Sequence, residues 1–229
     1  IAHEIKNPLT PIQLNTQRLK KKYHENREDF ARVFDESINI ISQEVEGMKE
    51  LLNEFLRFSR MPTPNPKKTS IHKIIEDILI SYSEHEKNIQ ITKNFDPNLA
   101  QLVIDPEQIR RVLINLFENA TDAIDEGGII QIQTKILQGN QMVRLEFSDN
   151  GEGISAADRE KLFLPHFTTK KRGTGLGLAI VNRIVIDHNG TIKVQDNYPK
   201  GTTFIIDLPY SQTTQKFDNT LSNSFSDIV

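Results

Sequence analysis

Cysteine is absent from the 229 residues, which rules out a disulfide framework, a cysteine-based zinc site and a thiol nucleophile. Also absent is any run of about 18 apolar residues, so no stretch reads as a membrane-spanning helix, and nothing has the pattern of a signal peptide. Excess positive charge is missing too. With 28 Lys and Arg against 31 Asp and Glu, the formal charge of −3 gives little field to attract nucleic acid. What is present is ordinary for a globular chain, with 37% hydrophobic and 26% charged residues. The length suits one large domain or two small ones, and two is the better expectation. The chain opens at Ile1 inside a helical pattern, with neither an initiator Met nor a capping residue, and is therefore expected to be a piece of something longer.

Apolar residues at Ile1, Ile5, Leu9, Ile12, Leu19 and Tyr23 fall mostly three or four apart, one stripe of a helix. After the polar break His24-Glu25-Asn26-Arg27, a second stripe runs Phe30, Phe34, Ile38, Ile41, Val45, Met48, Leu52 and Phe55 at near-heptad spacing. Residues 1–60 are expected to form an antiparallel hairpin, which a second copy completes as a dimeric four-helix bundle. Met61-Pro62-Thr63-Pro64-Asn65-Pro66 removes backbone donors at alternate residues, so 61–68 reads as a proline-rich linker. Within 69–210, a helix near 71–83 is followed by strand-like runs at 89–95, 128–137, 142–148, 190–195 and 203–208. Helical patterns at 106–124 and 176–188 alternate with them, which predicts an α/β sandwich. Residues 211–229 are rich in Ser, Thr, Asn and Gln without a period and read as a mobile tail.

Four segments of the second domain carry more polar and glycine signal than folding requires. In Asn115-Leu116-Phe117-Glu118-Asn119, a spacing of four puts both carboxamides on one helix face, where their oxygens can hold a hydrated Mg²⁺. Two capping or surface asparagines would give the same spacing. Asp149-Asn150-Gly151-Glu152-Gly153 follows an apolar strand. Gly151 and Gly153 let a ligand approach the backbone, and Asp149 can accept a hydrogen bond from an exocyclic amine such as that of adenine. A plain turn explains Asp-Asn-Gly almost as well. Gly173-Thr174-Gly175-Leu176-Gly177-Leu178 leads into a helix, where free N–H groups and the positive dipole end suit phosphate. It is neither a Walker loop nor a Rossmann turn, because Thr168-Thr169-Lys170-Lys171-Arg172 precedes it instead of an apolar strand. That polar approach reads as a lid anchored by Phe163 and Phe167. Finally, Gly201-Thr202-Thr203-Phe204 opens the last strand with hydroxyls that could reach a base directly or through water.

In this order the four segments resemble the nucleotide boxes of the ATP-binding fold, often called GHKL or Bergerat, shared by histidine kinases, Hsp90, gyrase and MutL. The resemblance implies that Asn119 is the Mg²⁺ ligand, Asn115 supports the metal and phosphates, and Asp149 reads adenine. It also implies that Gly173, Gly175 and Gly177 let the lid and helix start wrap the phosphates. Thr169, Lys170, Thr174, Leu176, Leu178 and Thr202 complete the expected nucleotide-binding set. Two residues depart from the pattern. Asp122 stands where many kinases have a cation, so phosphate charge falls to Lys170, Lys171 or Arg172. His166 stands where an aromatic residue is common and is read as a lid residue.

At the N-terminus, His3 is about 200° around the helix from Ile1 and Ile5, and so faces water. Pro8 and Pro11 deprive the Glu4 and Asn7 carbonyls of their usual donors, an interruption of the helix beside an exposed histidine. His3-Glu4-Ile5-Lys6-Asn7-Pro8 is similar to the phosphoacceptor box of sensor histidine kinases. That resemblance implies that neutral His3 attacks the γ-phosphorus of ATP while Glu4 accepts a proton or hydrogen bond from the other ring nitrogen. Asn7 would orient water in a reverse, phosphatase reaction. The phosphoryl group would then pass to an Asp on the receiver domain of a response regulator.

Two other readings use the same nucleotide site. A GHKL ATPase generally carries a Glu at the position of Asn115 as base for water. A carboxamide cannot take that proton, although Glu118 is close by. A serine protein kinase of the anti-sigma type shares the boxes but lacks a His-bearing hairpin. Within the histidine kinases, residues 1–14 and Phe58-Ser59-Arg60-Met61-Pro62 look like the NtrY-type nitrogen-regulation sensors. That likeness implies an NtrX-like partner and a cytoplasmic fragment of an inner-membrane protein, with membrane contact only through N-terminal regions outside this sequence.

Overall fold

The computed structural model describes residues 2–25, 29–59, 61–82, 89–99, 101–125, 127–137, 141–170 and 174–210. The tail 211–229 and the end expected for the helix at 71–83 lie outside the described residues. The chain divides into two compact units, Ile1–Pro62 with Lys161–Ile180, and Thr63–Glu160 with Val181–Val229.

In the first unit, α1 (Ala2–Glu25) and α2 (Phe30–Ser59) pair as a hairpin. The ion pairs Lys22–Asp29 at 2.9 Å and Arg18–Glu36 at 3.3 Å step backwards along α1 as they step forwards along α2, which makes the helices antiparallel. Between them Val33 and Ser37 are fully buried. Contrary to the sequence expectation, α1 runs unbroken through Pro8 and Pro11. Proline's fixed φ is itself helical, so its cost is a lost donor and crowding one turn back, and pairing along α2 outweighs that. Side chains add donors nearby, from Thr10 to the Lys6 carbonyl, Asn15 to that of Pro11 and Thr16 to that of Ile12.

Residues 61–66 follow α2 without helix or strand, and in the second unit β1 (Lys67–Thr69) pairs antiparallel with β3 (Leu102–Ile104). A five-stranded sheet has the order β2-β4-β5-β7-β6, formed by β2 (Gln90–Asn94), β4 (Ile129–Leu137), β5 (Met142–Asp149), β6 (Thr191–Asp196) and β7 (Thr202–Pro209). Only the β2–β4 pair is parallel. Burial alternates along β5, as expected for a sheet with one covered face. Val143, Leu145 and Phe147 of β5, with Phe204, Ile206 and Leu208 of β7, are buried together with the apolar stripes of α3 (Ile71–Tyr82) and α4 (Pro106–Ala123). The rings of Phe117 and Phe147 meet edge to face, centroids 4.8 Å apart, which fixes α4 against β5. On the opposite face Arg144 and Asp207 form a bidentate ion pair at 2.8 and 2.9 Å, which holds the Arg144 guanidinium more firmly protonated. Between β5 and β6 come the short α5 (Ala156–Arg159) and α6 (Gly177–Asp187).

Candidate active site

The helix that carries Asn115 and Asn119 is set by its two ends. Asp105 caps α4, its Oδ1 accepting the Glu107 and Gln108 N–H groups at 3.0 and 3.2 Å, and Pro106 follows where no donor is needed. Burial of Val112, Leu113, Leu116 and Phe117 then leaves Asn115 and Asn119 half-buried at the edge of the apolar face. Asn115 donates Nδ2–H back to the Arg111 carbonyl at 2.8 Å, so its oxygen is the group left to a ligand. At the far end of α4, Gly151 packs so closely that a Cβ there would stand 2.6 Å from the Ala123 carbonyl oxygen. The Glu152 N–H donates to that oxygen at 3.0 Å. Thus the asparagine helix and the Asp149 turn are physically joined.

Asp149 ends β5 with only 3% of its surface exposed. Its Oδ1 accepts the N–H of Gly151 at 2.9 Å and of Thr202 at 3.2 Å. Burial pushes the carboxyl pKa above its ordinary value, and these two hydrogen bonds counter part of that rise. The residues brought together here are Asp149, Gly151, Gly153 and Thr202, on neighbouring strand ends. Gly201 sits at φ +116°, and a Cβ on it would fall 2.0 Å from the Asp149 carbonyl oxygen, so only glycine fits. Sequence reading did not single out Asn197, which donates Nδ2–H to that same carbonyl at 2.7 Å, or Asn150, whose Oδ1 accepts the Ile129 N–H at 2.7 Å. Nor did it single out His188, whose Nε2 accepts the Asp105 N–H at 3.0 Å.

The segment expected to be a lid falls in the first unit. Thr169 and Lys170 are exposed, and the Lys170 N–H donates to Thr168 Oγ1 at 3.1 Å. Gly175 (φ +65°) abuts His166, accepting its N–H at 2.9 Å, and a Cβ on Gly175 would meet the His166 carbonyl carbon at 2.4 Å. Leu176 is fully buried, while Thr174, Gly177 and Leu178 are half-buried at the start of α6. Leu162 is buried and the expected anchors Phe163 and Phe167 are half-buried. Lys171, Arg172 and Gly173 lie outside the described residues. His3 and Glu4 fall in the first turn of α1, with their side chains outside the described residues, and Asn7 is exposed one turn on.

Two family models match the chain in tandem. The His Kinase A (phospho-acceptor) domain covers residues 1–64, and the histidine kinase-, DNA gyrase B- and HSP90-like ATPase covers residues 104–212. Among curated relatives, the sensor histidine kinase ZraS of Escherichia coli (strain K12) is 31% identical over 93% of this chain and 45% of its own. Nitrogen regulation protein NtrY of Azorhizobium caulinodans is 32% identical over 86% of this chain and 26% of its own. The chain thus spans less than half the length of these relatives. Among solved structures, the catalytic domain of histidine kinase ThkA superposes with TM-score 0.58 at 32% identity, covering 64% of this chain and 96% of that one. ThkA in complex with response regulator protein TrrA superposes with TM-score 0.68 at 30% identity, over 92% of this chain and 60% of that one. The chain belongs to the sensor histidine kinases, with their phosphoacceptor helices ahead of their ATP-binding domain.

Proposed function

We propose that this chain moves the γ-phosphate of ATP onto His3 and passes it on to an aspartate of a response regulator's receiver domain. The observation that carries the reading is the buried Asp149, whose Oδ1 is committed to two backbone N–H groups. No described residue hydrogen bonds to its Oδ2, which leaves an acceptor for the adenine amino group. Asn119 and the Asn115 oxygen are hard amide donors of the kind Mg²⁺ takes among its waters, so the residues fit that ion. When bound it neutralises charge on the triphosphate. Thr202 serves the base side. The neutral imidazole of His3 is the nucleophile. Glu4 accepts a proton or hydrogen bond from the second ring nitrogen, and Asn7 orients the water that hydrolyses the partner's aspartyl phosphate and releases inorganic phosphate. Positioning supplies most of the rate.

The boundaries we assign are a dimerisation and phosphotransfer hairpin over 1–60, a linker over 61–68, a catalytic domain over 69–210 and a tail over 211–229. In the whole protein this piece works on the cytoplasmic side, where ATP is, with an inner-membrane anchor elsewhere in the chain. An NtrX-like regulator is our reading of the partner, drawn from the NtrY-like segments around His3 and Pro62, although ZraS at 31% identity is equally similar. A GHKL ATPase or serine kinase is not favoured, because neither explains the phosphoacceptor match over residues 1–64. The test is a relay. Chain labelled from γ-labelled ATP is mixed with an NtrX-type receiver domain, and the label moves within minutes to the wild-type receiver and not to one with its acceptor Asp changed to Asn. Retention of all label on the chain with every receiver tried would sink the transfer step.

A further inference from the structure

We infer that Asn197, in the turn between β6 and β7, is a positioning residue that aims the Asp149 carboxylate and thereby sets the preference for adenine over other purines. The inference rests on the proposed role of Asp149 as the base-reading group. The β5–β7 register has its last pair at Ser148 and Thr203, and Asp149 lies one residue past it. There the Asn197 side chain donates Nδ2–H to the Asp149 carbonyl at 2.7 Å, standing in for the next rung of the ladder.

Asn197 is itself held at both sides. Its backbone N–H donates to the Gly201 carbonyl at 3.0 Å, closing the turn. Its neighbour Asp196 takes the guanidinium of Arg159, which also donates to the Ile154 carbonyl at 3.1 Å. The same turn touches Asp149 at two further points. Gly201 lies against its carbonyl without room for a Cβ, and the Thr202 N–H binds Oδ1 at 3.2 Å. The carbonyl grip fixes the peptide plane that follows Asp149, and the Thr202 grip fixes rotation of the carboxylate. Together they define where Oδ2 points. A group that must accept from a 6-amino hydrogen and reject a 6-oxo oxygen depends on that direction, since a misaligned hydrogen bond weakens steeply.

The test compares binding of ADP and IDP, which differ in the 6-amino or 6-oxo group and in the proton that the oxo form carries on N1, by titration calorimetry. Asn197→Asp keeps the shape, loses the donor and sets an oxygen against the Asp149 carbonyl. Its ADP affinity is expected to fall about tenfold, with IDP affinity changed less than about twofold, so the ADP/IDP ratio collapses. Tyr198→Ala, in the same turn at a side chain 94% exposed, keeps the wild-type ratio. Asp149→Asn loses the preference altogether. An unchanged ratio in Asn197→Asp beside a lost one in Asp149→Asn overturns the inference and leaves the base-reading role intact. Equal losses for both diphosphates in Asn197→Asp mark Asn197 as structural only and overturn it too. Wild-type ADP binding by Asp149→Asn removes the underlying reading instead. If Asn197→Asp does not fold, Asn197→Ser, too short to reach the carbonyl, carries the same comparison and the same outcomes.

Discussion

Asp149 is the residue where stability and the proposed function pull apart. Burial raises its folded-state pKa above the ordinary 3.8, so the folded chain binds that proton more tightly than the unfolded chain. Its contribution to stability is therefore greatest below pH 3.8 and is lost as pH rises through the folded value, leaving the carboxylate a burden at neutral pH. Asp149→Asn keeps an oxygen for the Gly151 and Thr202 N–H groups and drops the charge. Its nucleotide-free melting temperature is expected to equal or exceed the parent's, while ADP affinity falls roughly 10- to 100-fold, a loss of about 1.5–3 kcal/mol. Thermal unfolding with and without ADP measures both, and a clear drop in the nucleotide-free melting temperature would contradict it. Asp149 as a candidate was legible in sequence because an acid and glycines follow an apolar strand. Asn197 was not, because its partner lies 48 residues away and an asparagine in a turn has nothing local to mark it.

At the scale of elements, α4 is clipped from both sides at its cap. The Asn65 N–H donates to Asp105 Oδ2 at 2.8 Å, and the Asp105 N–H donates to His188 Nε2 at 3.0 Å. His188 donates Nδ1–H to the Ile184 carbonyl at 2.8 Å, which fixes a neutral tautomer. Burial lowers its pKa below 6.5 against the opposing pull of the Ile184 carbonyl, Asp105 and Asp187. In the window between that lowered value and 6.5 the unfolded chain binds more protons, so this contribution is complete above 6.5 and is lost as pH falls. Urea unfolding from about pH 7.5 down to about pH 5 should show stability falling more steeply for the parent than for His188→Gln. Parallel slopes would rule His188 out as the source. Elements long enough to show a period were legible, as α4, β4, β5 and β7 show. The three-residue strands β1 and β3 were not, since Lys67-Lys68-Thr69 has no apolar alternation and its partner lies some 35 residues on. The prolines of α1 misled for a related reason, because a local rule was outweighed by pairing with α2.

For the whole molecule, the hairpin leaves its stripes half satisfied. Leu14 and Leu52 are 59% and 54% exposed, and Leu9, Phe34, Ile38 and Val45 are exposed beside them. A second copy laid along this face would complete the four-helix core expected from the sequence. Sedimentation should give twice the 26.2 kDa chain mass, and Phe34→Glu with Ile38→Glu should return it to the single-chain value. A parent that sediments as one chain at micromolar concentration would refute the dimer. The proposed acceptor, His3, stands out in the sequence only through its neighbours Glu4, Asn7 and Pro8, whereas the nucleotide half announced itself in segments spread over a domain.

Transfer to His3 is tested most directly by incubating the parent and His3→Ala with γ-labelled ATP and Mg²⁺. The expected result is label on the parent that is lost in acid and survives alkali, as a phosphoramidate does, and none on His3→Ala. Label that persists on His3→Ala, or that resists acid as a phosphoester would, contradicts it.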